Sequence, residues 1–255
     1  MPPWTALLLA GSRPEGDPFA ESMGSIHKAL IPVGGEPMVL RPLRALLSSP
    51  AIRHVRVASQ SPEPVAAVIP ADPRVSIARS QSTIAATLSA LCKDPGTRFP
   101  VLVTTADHAL LTPAMIAEFT AASRDCDIGV AFVESQPLLA RFPNAQRTWL
   151  RFGSGKYSGA NLFALNTPQA AVAIERWRSI EQDRKKGWRV LLQLGLPLFL
   201  GAVLRVHDIQ QTAANLGRKL GIVIKPVVMS DPLAAIDVDK PADHVLVEEI
   251  IAGRA

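Results

Sequence analysis

The chain has 255 residues, 48% of them hydrophobic, with a net charge of +5 and only two cysteines, Cys92 and Cys126. That length and apolar content suffice for a sizeable core, while two distant cysteines exclude a disulfide framework and a cysteine-based zinc site and point to a reducing, cytoplasmic setting. The cations are scattered apart from Arg184-Lys185-Lys186, with no stripe of interleaved aromatics, which argues against a nucleic-acid partner and leaves room for an anionic small substrate.

The apolar run from Trp4 to Ala10 is too short and too poor in basic residues for a signal peptide. Thr5–Leu9 is predicted as a buried strand, followed by Gly11 and a long polar loop that reaches Lys28. Met38–Leu47 is predicted as a helix after the turn VGGEP. HVRVAS (54–59) is a second strand, 62–69 a short helix or loop, and RVSIA (74–78) a third strand. Ser82–Cys92 is an amphipathic helix, PVLVTTA (100–106) a fourth strand, and Pro113–Ser123 a helix with proline in its first turn. DIGVAFV (127–133) is a fifth strand. This alternation predicts an α/β fold, a mostly parallel sheet with helices on both faces.

The second half is less regular. Residues 134–158 are predicted as loops, GANLFAL (159–165) as a strand and Pro168–Gln182 as a helix. Residues 186–219 are helix-rich, IVIKPVVM (222–229) is a strand, LAAIDVD (233–239) is a short strand or extended segment, and Pro241–Ile251 is a terminal helix. LLQLGLPLFLGAVL (191–204) is the longest apolar stretch, but Pro197 and two glycines interrupt it. It reads as a buried helix pair rather than a span; an interfacial segment facing a lipid-linked substrate is the alternative, which leaves peripheral membrane contact open.

Three places carry candidate chemistry. In open α/β sheets ligands bind beyond the carboxyl ends of the strands. Leu9, Ala10, Gly11 and Ser12 follow or end the first strand, and glycine there lets backbone N–H groups approach phosphates, with Lys28 as a point charge. An ordinary surface loop is the other reading. Asp107 ends a buried apolar strand, where a carboxylate is costly unless paired or on a cation. Mg2+ takes one or two such carboxylates together with substrate phosphates. Thr112, just before Pro113, is the better cap for the helix that follows. Near the C-terminus, Asp237 and Asp239 share one face of an extended segment. Asp237 is the stronger ligand candidate, and Asp239 doubles as a cap for the terminal helix.

LLAG, Met23-Gly24, Lys28, GGEPM, the strand ending in Asp107 and DVDKPAD stand in an order that resembles the nucleotidyltransferases related to molybdenum-cofactor guanylyltransferase. The resemblance implies a GT-A-like, Rossmann-type fold in a single domain over 1–255, with a nucleotide-binding half (1–133) and an acceptor-binding half (134–255). It implies transfer of a nucleoside monophosphate from a nucleoside triphosphate to a phosphorylated small-molecule or lipid-linked acceptor, with Mg2+ as cofactor. By resemblance, Gly11, Ser12 and Lys28 hold phosphates, and Asp107 and Asp237 bind the metal, with Asp239 beside them. Ser82 and Thr83 lie near the base, and Gly159 and Asn161 near the acceptor. The family's arginine directly before Met-Gly is replaced here by Ser22, and Arg13 is the candidate substitute. The added loop acids Glu15, Asp17 and Glu21 are expected to hold the loop shut when no nucleotide is present. A glycosyltransferase of the same fold and a non-catalytic nucleotide-binding homologue are the rival readings. An Asp-x-Asp near the C-terminus rather than in mid-chain favours the nucleotidyltransferase.

Overall fold

A central sheet of eight strands organises the residues that the computed structural model describes, which are 3–11, 16–182 and 207–254. The sheet runs in the order β10-β7-β9-β6-β1-β4-β5, with β8 paired to β9. Its strands are β1 (Trp4–Leu9), β4 (Ile52–Ser59), β5 (Val75–Arg79), β6 (Val101–Thr105), β7 (Ile128–Glu134), β8 (Leu150–Phe152), β9 (Gly155–Leu165) and β10 (Ile224–Val228). β1 pairs in parallel with β4 and β6, β4 with β5, and β7 with β10; β9 runs antiparallel between β6 and β7. The central strands β1 and β6 are mostly apolar and buried because helices cover both faces. Thus Leu8 belongs to one core and Leu7 to the other.

The larger core lies under α2 (Leu40–Ser48), α3 (Pro62–Val68), α5 (Pro113–Ala122), α6 (Ser135–Arg141) and α9 (Pro241–Ile251). The smaller one is closed by α4 (Ile84–Lys93) and α7 (Ala170–Gln182), which pack on each other. Local chemistry sets the helix starts. Thr83 accepts from Ala86 N–H at the head of α4, and Thr112 accepts from Met115 N–H at the head of α5, with Pro113 in its first turn. Asp208 and Gln211 form a reciprocal capping box on α8 (Ile209–Leu220). Near the N-terminus, Gly34 and Gly35 both adopt positive φ (64° and 80°) and close a hairpin of β2 (Pro32–Val33) and β3 (Glu36–Pro37).

Three expectations change. Residues 134–158, expected as loops, hold α6, β8 and the start of β9; seven- and three-residue elements are too short to show a period in the sequence. LAAIDVD, expected as a strand or extended segment, opens with a 3-10 turn over Pro232–Ala235, started by Asp231 accepting from Leu233 N–H, and then continues without ladder partners. The loop before Lys28 contains α1 (Pro18–Ser22), and Lys28 itself begins a 3-10 turn to Leu30. The apolar stretch 191–204 and the run Arg184–Lys186 lie outside the described residues.

Candidate functional site

The carboxyl ends of β1 and β6 lie side by side, with Leu9 in register with Thr105. Ala106 N–H donates to Leu9 O at 2.8 Å, and Ala10 N–H donates to Ala58 O at 2.8 Å. Gly11 and Asp107 therefore emerge together at one edge of the sheet. The Leu9 side chain and Ala10 are buried, so what these positions offer a ligand is main chain. A Cβ on Gly11 would lie 2.3 Å from Gln60 Oε1, which makes glycine the residue that fits without moving Gln60. Gln60 in turn donates to Gln81 O at 3.4 Å, joining the first loop to the segment that opens α4.

Lys28 reaches this edge from its 3-10 turn. Its Nζ donates to Asp107 Oδ2 at 2.6 Å and also to Asp239 Oδ1. Thr105 Oγ1 donates to the other Asp107 oxygen at 2.5 Å. The lysine side chain is only 12% exposed. Burial opposes its charge, but Asp107 and Asp239 more than offset burial and hold the ammonium above the ordinary lysine range. The C-terminal segment is fastened here through its backbone, with Val238 N–H donating to Asp107 O at 3.0 Å.

Asp237 and Asp239 part company. Asp239 turns to Lys28, whereas Asp237 is gripped by Arg147, whose Nη1 donates to Asp237 Oδ1 and whose Nη2 donates to Asp237 O at 3.3 Å. Arg147 also donates to Asp243 Oδ1 at 3.3 Å. Asn161 Nδ2 donates to Asp237 Oδ2 at 2.9 Å. Asn161 is the one described non-glycine residue with positive φ (47°), and it sits where β9 bulges against β7. The bulge aims its side chain away from the ladder and at Asp237. Burial pushes the Asp237 carboxyl up to about 6; Arg147 pulls it down, while Asp239 and Asp107 add to the rise. The helix-cap role expected of Asp239 is not seen: Lys240 is the cap of α9, with no side-chain cap bond, and Asp239 N–H donates back to Asp243 Oδ2 at 3.3 Å.

Beside this cluster a cleft of about 550 Å³ opens, lined by Arg147, Thr148, Ser158, Gly159, Asn161 and Lys240 among others. The two residues expected at the acceptor, Gly159 and Asn161, both border it. Of the pair expected near the base, Thr83 is the cap of α4, and Ser82 is exposed beside it. Ser12, Arg13 and Glu15 lie outside the described residues. Asp17 is 8% exposed and accepts from Phe19 and Ala20 N–H as the cap of α1, so its carboxylate serves the loop's own helix. His108 is fully buried, and burial pushes its imidazole down to about 4; it is neutral and faces the core. Gln60, Arg147 and Asp243 are the members of the site that the sequence reading missed.

Among the described residues, no group of three or more Asp, Glu, His or Cys forms a ready-made metal cage. Yet the Asp107 and Asp239 carboxylates converge on one cationic point, taken by the Lys28 ammonium. Two carboxylates at one point fit a hard divalent ion that draws its remaining oxygens from phosphate and water.

The family model described as the MobA-like NTP transferase domain matches residues 6–214. A hypothetical transferase from Thermus thermophilus is 25% identical, with 95% of this chain and 100% of that chain covered and a TM-score of 0.79. A CMP:2-keto-3-deoxy-manno-octonic acid synthetase, solved with CTP, is 12% identical, with 100% of both chains covered and a TM-score of 0.63. A 4-diphosphocytidyl-2C-methyl-D-erythritol synthase from Anaerococcus prevotii is 8% identical, with 98% of this chain and 96% of that chain covered and a TM-score of 0.58. At such identities the last two share the fold alone. No curated protein sequence matches the chain.

Proposed function

This chain belongs to the MobA-like NTP transferase domain family, and we propose that it transfers a nucleoside monophosphate from a nucleoside triphosphate to a phosphorylated acceptor, releasing pyrophosphate, with Mg2+ as cofactor. The observation that carries this reading is the meeting of Lys28, Asp107 and Asp239 at the carboxyl edge beside Gly11.

The main chain at Ala10 and Gly11 receives the triphosphate, with the flanking Gln60 and the 81–83 segment toward its nucleoside end. Lys28 turns from its carboxylates to the α- and β-phosphates and neutralises charge that gathers there as pyrophosphate departs. Asp107 and Asp239, rather than the Asp237 expected from the sequence, which Arg147 and Asn161 hold, would be the residues to hold Mg2+, and the ion would supply charge neutralisation on the phosphates. Asn161 and the cleft beyond it hold the acceptor. An acceptor phosphate is already anionic, so the attack needs no general base, and positioning carries the rate. Arg147 and Asn161 fix Asp237, and through it the turn that delivers Asp239.

A thermal-shift panel of ATP, GTP, CTP and UTP, each with and without Mg2+, tests this reading, because a ligand bound only by the folded state raises its apparent stability. One triphosphate is expected to stabilise the wild type in a Mg2+-dependent manner. A shift with a nucleotide-sugar alone would assign the site to glycosyl transfer instead.

A further inference from the structure

On the face closed by α4 and α7, β4 departs from the apolar rule. Register places His54, Arg56 and Ala58 beside Thr5, Leu7 and Leu9 of β1, and Arg56 and Ala58 beside Ser76 and Ala78 of β5. Leu7, Leu9 and Ala58 are core, so His54 and Arg56 share their face. An internal strand of a parallel sheet is ordinarily apolar on both faces. Here an arginine and a histidine replace that surface because helix α4 covers β1 and leaves β4 and β5 beside an open cavity of about 690 Å³.

The cavity is strongly one-signed. Arg53, Arg56 and Arg98 line it, against a single acid, Asp94. Arg56 forms a long ion pair with Asp94 at 4.0 Å, beyond hydrogen-bond distance, so a phosphate competes with that acid for its fork. His54 Nε2 lies 2.8 Å from Ser76 Oγ, which adds a polar pair to the wall. Leu7, Leu91 and Phe99 supply apolar lining. Planar guanidinium forks over such lining match a phosphate joined to an organic body.

We propose that this cavity is a second binding site, for a small phosphorylated anion. It is separate from the centre formed by Lys28, Asp107 and Asp239. Its walls include Pro3 and Val101, at the amino ends of β1 and β6, whereas Asp107 lies past the carboxyl end of β6. The five residues of β6 put about 13 Å between the two, too far for one phosphate to touch both. The proposal stands on the arginines and the cavity alone and does not depend on the reaction assigned to the other site.

The test is a titration of inorganic phosphate into Mg2+-free protein, followed by 1H–15N chemical shifts, in wild type, Arg56→Gln/Arg98→Gln and Lys28→Ala. Shifts are expected at Arg53–Arg56, Ser76–Ala78 and Gly96–Phe99, unchanged in Lys28→Ala and with apparent affinity at least tenfold weaker in the double variant. Arg98→Gln alone, on an exposed loop, serves if Arg56→Gln disturbs the sheet, and it is expected to weaken binding in the same sense. Shifts confined to Gly11 and Asp107, unaltered affinity in the arginine variants, or equal shifts with sodium chloride at matched ionic strength would each overturn the proposal.

Discussion

Lys28 Nζ lies 2.6 Å from the Asp107 carboxylate, across 79 residues of sequence, and the same ammonium also meets Asp239. A lysine proposed to hold phosphate and two acids proposed to hold a metal thus pair with each other in this structure. On the proposed function, nucleotide and cation would exchange partners with residues already gathered at one point, so binding would need little reorganisation.

Removing the ammonium separates these two roles. Lys28→Ala is expected to lower turnover roughly 100- to 1,000-fold, the usual cost of one lost electrostatic contact to a transition state. The same variant leaves Asp107 and Asp239 facing one another, so nucleotide-free protein is expected to bind Mn2+ or Mg2+ more tightly than wild type. Calorimetric titration of the cation checks this, and weaker binding in the variant would show that the two acids do not form a cation site.

Arg147 is 7% exposed and holds Asp237 and Asp243, of which Asp243 is just as buried. Truncating one partner of a buried pair leaves the remaining charges uncompensated and typically costs about 3–5 kcal/mol. Arg147→Met is therefore expected to lower stability by that order in urea unfolding, with partial recovery in Arg147→Lys. A loss below about 1 kcal/mol would mean that water readily replaces the guanidinium.

Asn161 combines a left-handed backbone with a hydrogen bond to Asp237. Glycine removes the bond but suits the backbone, whereas alanine removes the bond and also meets the left-handed penalty of about 1 kcal/mol. Asn161→Ala is expected to be less stable than Asn161→Gly by that amount in equilibrium unfolding. Equal stabilities would show that the bulge relaxes when the side chain is lost.

His108 is buried and neutral, with its imidazole pushed down to about 4 by burial, against 6.5 for an exposed histidine. The unfolded chain therefore takes up a proton that the folded one refuses. The contribution is fully present above about pH 6.5 and is lost as pH falls toward 4, on the order of 3 kcal/mol. The stability of His108→Phe relative to wild type is expected to improve over that window on acidification. A difference that stays flat between pH 7 and pH 4 would contradict the assignment.

Much of the frame was legible because it is local. The apolar run into Gly11, the buried strand ending at Asp107 and the cap at Thr112 each announce themselves within a few residues. Arg147 does not, since it stands in an irregular stretch and its partners lie 90 and 96 residues away. The alternation rule set Asp237 and Asp239 on one face, but that rule holds for a laddered strand. Here a 3-10 turn precedes them and no ladder follows, so the two side chains diverge, one to Arg147 and one to Lys28. The bulge at Asn161 is likewise fixed by the pairing of β9 with β7, which no local window of sequence contains.

The most direct measurement is pyrophosphate release from each nucleoside triphosphate, with a panel of phosphorylated acceptors and Mg2+, by wild type and Asp107→Asn. Asp107 stands where β6 delivers it to Lys28, and the account requires that carboxylate for turnover. It predicts release by wild type with one pairing of nucleotide and acceptor, reduced at least 100-fold in a variant that still unfolds cooperatively. Near-normal release by Asp107→Asn would contradict the site.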